Sequence, residues 1–417
     1  MTINGAETEN KLRIDVNKYR NGWKWAYGAS AQLADFSNNT FSVIRRELRD
    51  ANNTIIQPAE SLDFNSPLKN FWRLGSFAQI SRRFFDSRLG LSAGLRTDIN
   101  TFTKDGGNPF RSLSPRAALS YVLSATWTAN ATAGRYFKIP PYTILGFADS
   151  NGVLVNKGGD YLRSDHYALG LEFLPSSTLR FTAEAFYKTY DKVPVSVRNG
   201  ISLSNLGSDF NVLGNEAVTT NGKGRAYGVE AFAQQKLSDR FFGILSYTFY
   251  RSQYSGRDHN YLPSSWDNRH LLSTTLGYKF PRNWEIGLKF RYQGGAPYTP
   301  FDERASQLNY LSRGQGILDY TRLNSLRLQS FHSSDIRIDK KWNFQRTTID
   351  LFVDVTNWYL ARSSEPDSYT FKRNADNIGF ATTDGQPISA NGSNAIPVLL
   401  VNNDASFTPS IGLIVEF

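Results

Sequence analysis

The chain has 417 residues, 40% of them hydrophobic, and a formal net charge of +10 from 47 Lys and Arg against 37 Asp and Glu. Its mean hydropathy is −0.42, and its longest clean apolar run, Ile396 to Val401, falls far short of the ~18 residues that a membrane-crossing helix needs, so a helical membrane protein is excluded. A β-barrel is not excluded, because its strands alternate lipid-facing and lumen-facing residues and average to a polar composition.

In chain order, apolar residues recur at every second position, and strands are expected at 9–20, 22–38, 68–84, 88–103, 113–125, 127–140, 163–174, 178–192, 222–238, 240–256, 268–281, 284–298, 333–345, 347–362 and 408–417. Residues 284–293 show the pattern best. Trp284, Ile286, Leu288, Phe290 and Tyr292 share one face, and Glu285, Gly287, Lys289, Arg291 and Gln293 share the other. The alternation returns in Tyr167, Leu169, Leu171 and Phe173, in Ile349, Leu351, Val353 and Val355 opposite Asp350 and Asp354, and in Ile411, Leu413, Val415 and Phe417. Aromatic residues make up 14% of the chain. They favour strands and form girdles at both membrane interfaces.

The connections alternate in length. Asn21-Gly22, Asp86-Ser87, 124–127, 175–178, 238–240, 281–283 and Gln345-Arg346 read as tight turns, whereas 39–67, 104–112, 141–162, 193–221, 257–267, 299–332 and 363–407 are long. A soluble sandwich has no reason to alternate in this way. An up-and-down outer-membrane barrel does, because its periplasmic turns are short and its extracellular loops long. The expected fold is therefore an all-β, antiparallel, up-and-down transmembrane barrel. The fifteen expected strands start on the long-loop side and end on the short-turn side, which cannot close a barrel whose two ends are both periplasmic. The N-terminus, Met-Thr-Ile-Asn-Gly-Ala-Glu, lacks the basic and apolar regions of a signal peptide. Both features lead to the expectation that 1–417 is the C-terminal portion of a larger barrel.

Four segments resemble the C-terminal barrel of TonB-dependent outer-membrane receptors, especially of the Bacteroidetes kind. They are Ser246-Tyr-Thr-Phe-Tyr250 followed by Pro263-Ser-Ser-Trp-Asp-Asn-Arg-His270; Asn283-Trp-Glu-Ile-Gly287 followed by Tyr292-Gln-Gly-Gly-Ala-Pro-Tyr-Thr-Pro300; Asp350-Leu-Phe-Val-Asp-Val-Thr-Asn357; and Pro409-Ser-Ile-Gly-Leu-Ile-Val-Glu-Phe417. The resemblance covers 164–417 well and 1–163 only as strand pattern. It implies a barrel of about 22 strands with a plugged lumen, of which the first strand here would be the eighth. About seven strands, the plug domain and the segment that contacts the TonB energy-coupling complex would lie outside this chain. The terminal Phe417 resembles the signal read by the barrel-assembly machinery. The implied function is TonB-dependent uptake of a nutrient bound at the extracellular loops, with the short turns and C-terminus periplasmic. A passive porin-like channel or a surface-binding barrel is the alternative, and a surface lipoprotein partner stays open.

Charged residues on the expected inward face are Glu230, Glu285, Lys289, Arg291, Arg337, Asp339, Asp350 and Asp354. They are read as lumen-facing and as holding the plug by ion pairs. Substrate is expected at the loops, where Phe301, Asp302, Arg304, Tyr310, Tyr369, Phe371 and Arg373 mix aromatic and charged character. That mixture suits a glycan, a peptide or a metal chelate equally. Enzyme chemistry finds little support. Cysteine is absent, and the four histidines, His166, His259, His270 and His332, sit at strand starts or loop edges. Asp258-His259 is the best remnant of a hydrolytic site, and no spacing suits zinc or a phosphate loop. No cofactor is expected. The Lys and Arg are scattered along strands, which argues against a nucleic-acid partner and suits a basic lumen or contact with outer-membrane lipid.

Overall fold

The computed structural model describes residues 2–50, 52–149, 151–207 and 214–417. Parts of the expected long connections, at 51, 150 and 208–213, lie outside the described residues, as does Met1. One antiparallel sheet dominates. Its strands are β1 (Thr2–Arg20), β2 (Trp23–Arg45), β3 (Glu60–Phe84), β4 (Leu89–Asn100), β5 (Ser114–Val122), β6 (Trp127–Lys138), β7 (Leu162–Phe173), β8 (Leu179–Ser196), β9 (Val218–Ser238), β10 (Phe241–Ser255), β11 (His270–Phe280), β12 (Trp284–Gln293), β13 (Phe331–Asn343), β14 (Thr348–Thr356) and β15 (Thr408–Glu416). They pair strictly in chain order, and the short strand Tyr261–Pro263 adds to β10. All fifteen expected strands are present. Among the described residues β1 and β15 are the two edges and do not pair with each other.

The short connections follow from backbone chemistry. Asn21 and Gly22 both take positive φ, at 51° and 78°, the two-residue turn that matches strand twist. Asp86 and Asp239 adopt the same left-handed region in their turns. Several strands run further than expected at the long-loop end. β2 continues to Arg45 and β3 begins at Glu60, so the connection expected at 39–67 shrinks. Polar residues such as Asn38, Asn39 and Thr40 pair there with Ser66, Asn65 and Phe64. The alternation of apolar residues had stopped, but backbone pairing does not depend on it.

The register fixes the two faces. On one, Tyr167, Tyr187 and Tyr227 oppose one another across β7, β8 and β9, with Tyr187 and Tyr227 stacked at 6.2 Å. Six residues down the strand, about 20 Å at strand rise, Trp127, Phe173 and Phe181 form a second aromatic row, with centroids 4.5 and 6.2 Å apart. Between the rows lie Leu169, 67% exposed, and Leu171. Exposed apolar residues bounded by two aromatic rows form a lipid-facing belt. The ordinary buried cores sit elsewhere, at the long-connection end of the sheet. Leu68, Phe71, Phe102, Ile139, Leu145 and Tyr161 pack together where β2, β3 and β4 meet helix α1 (Tyr142–Leu145), and Tyr369, Phe371 and Ala395 form another cluster.

Candidate functional site

The polar face of the sheet carries all eight charged residues singled out from the sequence. Glu285 opposes Asp339, Arg337 opposes Asp354, and Lys341 opposes Asp350, all on the side away from Ile286 and Leu288. The row Glu230, Thr248, Leu271 and Gln293 places Glu230 on the same side. Several of these groups already have partners. Arg337 bonds Asp339 at 2.7 Å and stands over the Phe352 ring at 3.7 Å, Arg291 reaches Asp335 at 3.4 Å, and Lys341 reaches Asp350 at 3.2 Å. Glu285 lies 3.7 Å from Lys279. Among the described residues, Glu230, Lys289 and Asp354 make no ion pair within 4.0 Å, and the buried Oδ1 of Asp350 has no hydrogen-bond partner.

At the long-loop end, the connection between β12 and β13 contains helix α2 (Glu303–Arg313). From the sequence, 299–332 is expected only as a long connection, although the helix carries every boundary signal. Asp302 caps the N-terminus by accepting from the Ala305 N–H at 2.9 Å, Glu303 and Arg313 complement the helix dipole, and Gly314 closes it at φ 72°. The helix docks on the connection between β2 and β3, some ten strands away in the sheet. The Arg46 N–H donates to the Ser312 carbonyl at 2.8 Å, Gln57 Nε2 to the Leu308 carbonyl at 3.1 Å, and Ser312 Oγ to Gln57 Oε1 at 2.7 Å. Arg313 adds an ion pair to Glu60 at 3.3 Å. A strap thus joins loops more than 250 positions apart in sequence.

The loop residues proposed from sequence come together, and in a particular way. Tyr310 packs against Phe371, the rings tilted at 4.7 Å, and lies 5.8 Å from Tyr369, which lies 5.7 Å from Phe301. Phe371 is 1% exposed. These four rings are each other's core, built against the hairpin Ser363–Phe371 and Pro397–Asp404. Asp302 is spent on its cap, Arg373 stands 5.1 Å over Phe380, and Arg304 is exposed. Burial, and after it Glu303, push the Tyr369 phenol above its ordinary range.

Sequence reasoning did not isolate Asp267. It is fully buried and accepts from Arg327 at 2.6 Å, from Arg251 at 3.2 Å and from the Ser252 N–H at 2.7 Å. Arg327 also donates to the carbonyls of Asp267 and Gly295. Asn324 ties the same loop to Asn205 and Pro263. The Trp-Asp-Asn-Arg-His segment therefore anchors the connection between β12 and β13, and Asn324 carries the network on to the connection between β8 and β9. Its lone Asp before a strand could have signalled this. The histidines find hydrogen-bonded places. His166 lies 2.5 Å from Ser164 Oγ, His270 2.9 Å from Tyr247 and His332 2.8 Å from Tyr359, while His259 occupies a turn at φ 61°. No described cluster of three or more His, Asp or Glu could hold a metal ion.

Residues 3–358 match the family described as TonB dependent receptor-like, beta-barrel. No curated protein matches the chain. Among solved structures, FpvAI in complex with pyocin S2 superimposes with a TM-score of 0.60 at 14% identity, over 99% of this chain and 50% of that one. The ferric yersiniabactin uptake receptor FyuA of Yersinia pestis gives 0.57 at 15%, over 100% and 55%. The ferric citrate transporter FecA gives 0.57 at 13%, over 99% and 55%. The chain spans about half the length of these proteins, and at such identities they share its fold. With an apolar belt, a charged opposite face and a family match over most of its length, the chain belongs to the TonB-dependent receptor-like β-barrel family of outer-membrane proteins.

Proposed function

We propose that this chain is the C-terminal part of the wall of a TonB-dependent uptake receptor. Its polar face would line a lumen filled by a plug domain, its long connections would face outward and its short turns the periplasm. The family match over residues 3–358 carries this reading. Among the described residues, the odd number of strands along the main path of the sheet and the unpaired edges of β1 and β15, together with the half-length coverage of solved receptors, support further strands beside them. Glu230, Lys289, Asp354 and the open oxygen of Asp350 are the wall groups that a plug would satisfy. The exposed Arg304 and Arg373 are the loop groups free to meet a solute, over a support built from Phe301, Tyr310, Tyr369 and Phe371. Phe417, fully exposed at the end of β15, suits recognition by the barrel-assembly machinery.

The absence of cysteine makes the orientation simple to test. In whole cells, Gly385→Cys in the last long connection should react with a membrane-impermeant maleimide, and Asp239→Cys in a short turn should react only after permeabilisation. The reverse pattern overturns the orientation. Uptake is tested by deleting the gene and following nutrient accumulation with and without an uncoupler. Accumulation lost on deletion and abolished by the uncoupler is expected, and uncoupler-resistant entry would instead identify a passive channel.

A further inference from the structure

On the polar face, just below the long connections, the register aligns Tyr136, Ser164, Tyr190, Gly224 and Tyr254 across β6, β7, β8, β9 and β10. Large and small residues alternate along this row. The missing Cβ of Gly224 leaves the space that the Tyr254 ring occupies; a Cβ there would overlap it. Tyr254 consequently lies over β9, with its centroid 5.4 Å from Tyr190. His166, one position below Ser164 on the same face, fills the other gap, 4.7 Å from Tyr136 and 6.4 Å from Tyr190. Four rings therefore run as one shelf along the wall.

The row beneath contains Arg116, Gly134, His166 and Lys188. Arg116 stands 4.4 Å over the Tyr136 ring. Among the described residues neither Arg116 nor Lys188 makes an ion pair, although twenty such pairs are formed elsewhere. The carboxylates next to the row in sequence, Asp165 and Asp191, lie on the opposite face, where Arg135 holds Asp165 at 2.6 Å and Arg163 holds Asp191 at 3.2 Å. The shelf thus offers ring faces and hydroxyls beside two cations, with no acid in either row; the nearest on this face of β8 is Glu184, four residues along from Lys188.

We infer that this shelf binds an acidic oligosaccharide, whose sugar faces stack on Tyr136, Tyr190 and Tyr254 while Arg116 and Lys188 hold its carboxylates. Stacking needs flat, apolar sugar faces, and the cations select uronate over neutral sugars. The inference rests on the reading of the polar face as a lumen wall.

The test is equilibrium binding to the full chain folded in detergent, by calorimetry, with hexagalacturonate and maltohexaose as probes. Saturable binding of hexagalacturonate is expected, weakened about tenfold by Lys188→Gln and by Tyr190→Ala, retained in Tyr190→Phe, and falling with salt. Maltohexaose should bind more weakly and without salt dependence. Because Lys188→Gln removes a surface charge only, it keeps the test valid if Tyr190→Ala fails to fold. No saturable binding of hexagalacturonate, equal binding of both sugars, or binding indifferent to Lys188→Gln overturns the inference. Binding needs no energy coupling, so it can hold where uptake fails. Energised uptake of another solute without sugar binding would leave the receptor reading standing and remove this one.

Discussion

Asp267 is fully buried between two guanidinium groups that are themselves about three-quarters buried. Removing one partner of such a cluster leaves charge without compensation, which costs about 3–5 kcal/mol. Asp267→Ala should therefore destabilise the folded protein by about 3 kcal/mol, read as a lower denaturant midpoint of tryptophan fluorescence in detergent. Tyr369 makes the opposite case. Its hydroxyl is buried without a hydrogen-bond partner, so Tyr369→Phe removes an unsatisfied group and should be neutral or stabilising by up to about 1 kcal/mol. Its raised pKa also sets a pH window. A group whose folded pKa lies above the unfolded value contributes fully below the unfolded value, about 10, and the contribution is lost as pH rises through the folded value. The loop cluster should loosen in alkali above about pH 10, by near-ultraviolet dichroism, and Tyr369→Phe should blunt the change.

Helix α2 is eleven residues long, too short to hold its shape in water alone. Its stability comes from its caps and from the connection it reaches. Asp302→Ala should cost about 1 kcal/mol and fray the first turn. Gln57 both donates to Leu308 and accepts from Ser312, so Gln57→Ala should speed amide exchange throughout α2 by mass spectrometry. Unchanged exchange would mean that the strap does not hold the helix. Arg313 is largely buried but its partner Glu60, at 3.3 Å, is exposed, so this pair is worth about 1 kcal/mol or less and the backbone and amide bonds carry the contact. The capping pattern from Asp302 to Gly314 was legible in the sequence. Its destination on the β2–β3 connection was not, because nothing local encodes a contact between residues 57 and 312.

For the whole sheet, the two faces differ in what they tolerate. Leu169→Arg, between the aromatic rows, puts a charge into lipid and should cost about 2–4 kcal/mol. Lys289→Gln on the polar face should change stability by no more than about 0.5 kcal/mol. Refolding into lipid vesicles, followed by gel mobility, separates the two. Equal effects would sink the assignment of faces.

The sequence by itself determined the strands, their order and their faces. Period-two alternation and turn residues are local, and an up-and-down sheet pairs each strand with its chain neighbour, so local signals suffice. The placement of Glu230, Glu285 and Asp350 on one polar face followed from the same parity. Only the tertiary structure decided which groups of the polar face are already paired, that Phe301, Tyr310, Tyr369 and Phe371 bury one another, and that Tyr136, Tyr190 and Tyr254 share one row. Pairing, burial and row membership depend on strand register and on loop contacts between residues far apart in the chain. A two-residue shift of register keeps every face and breaks every row. The barrel was therefore readable residue by residue, whereas its candidate binding surfaces appear only once the strands are side by side.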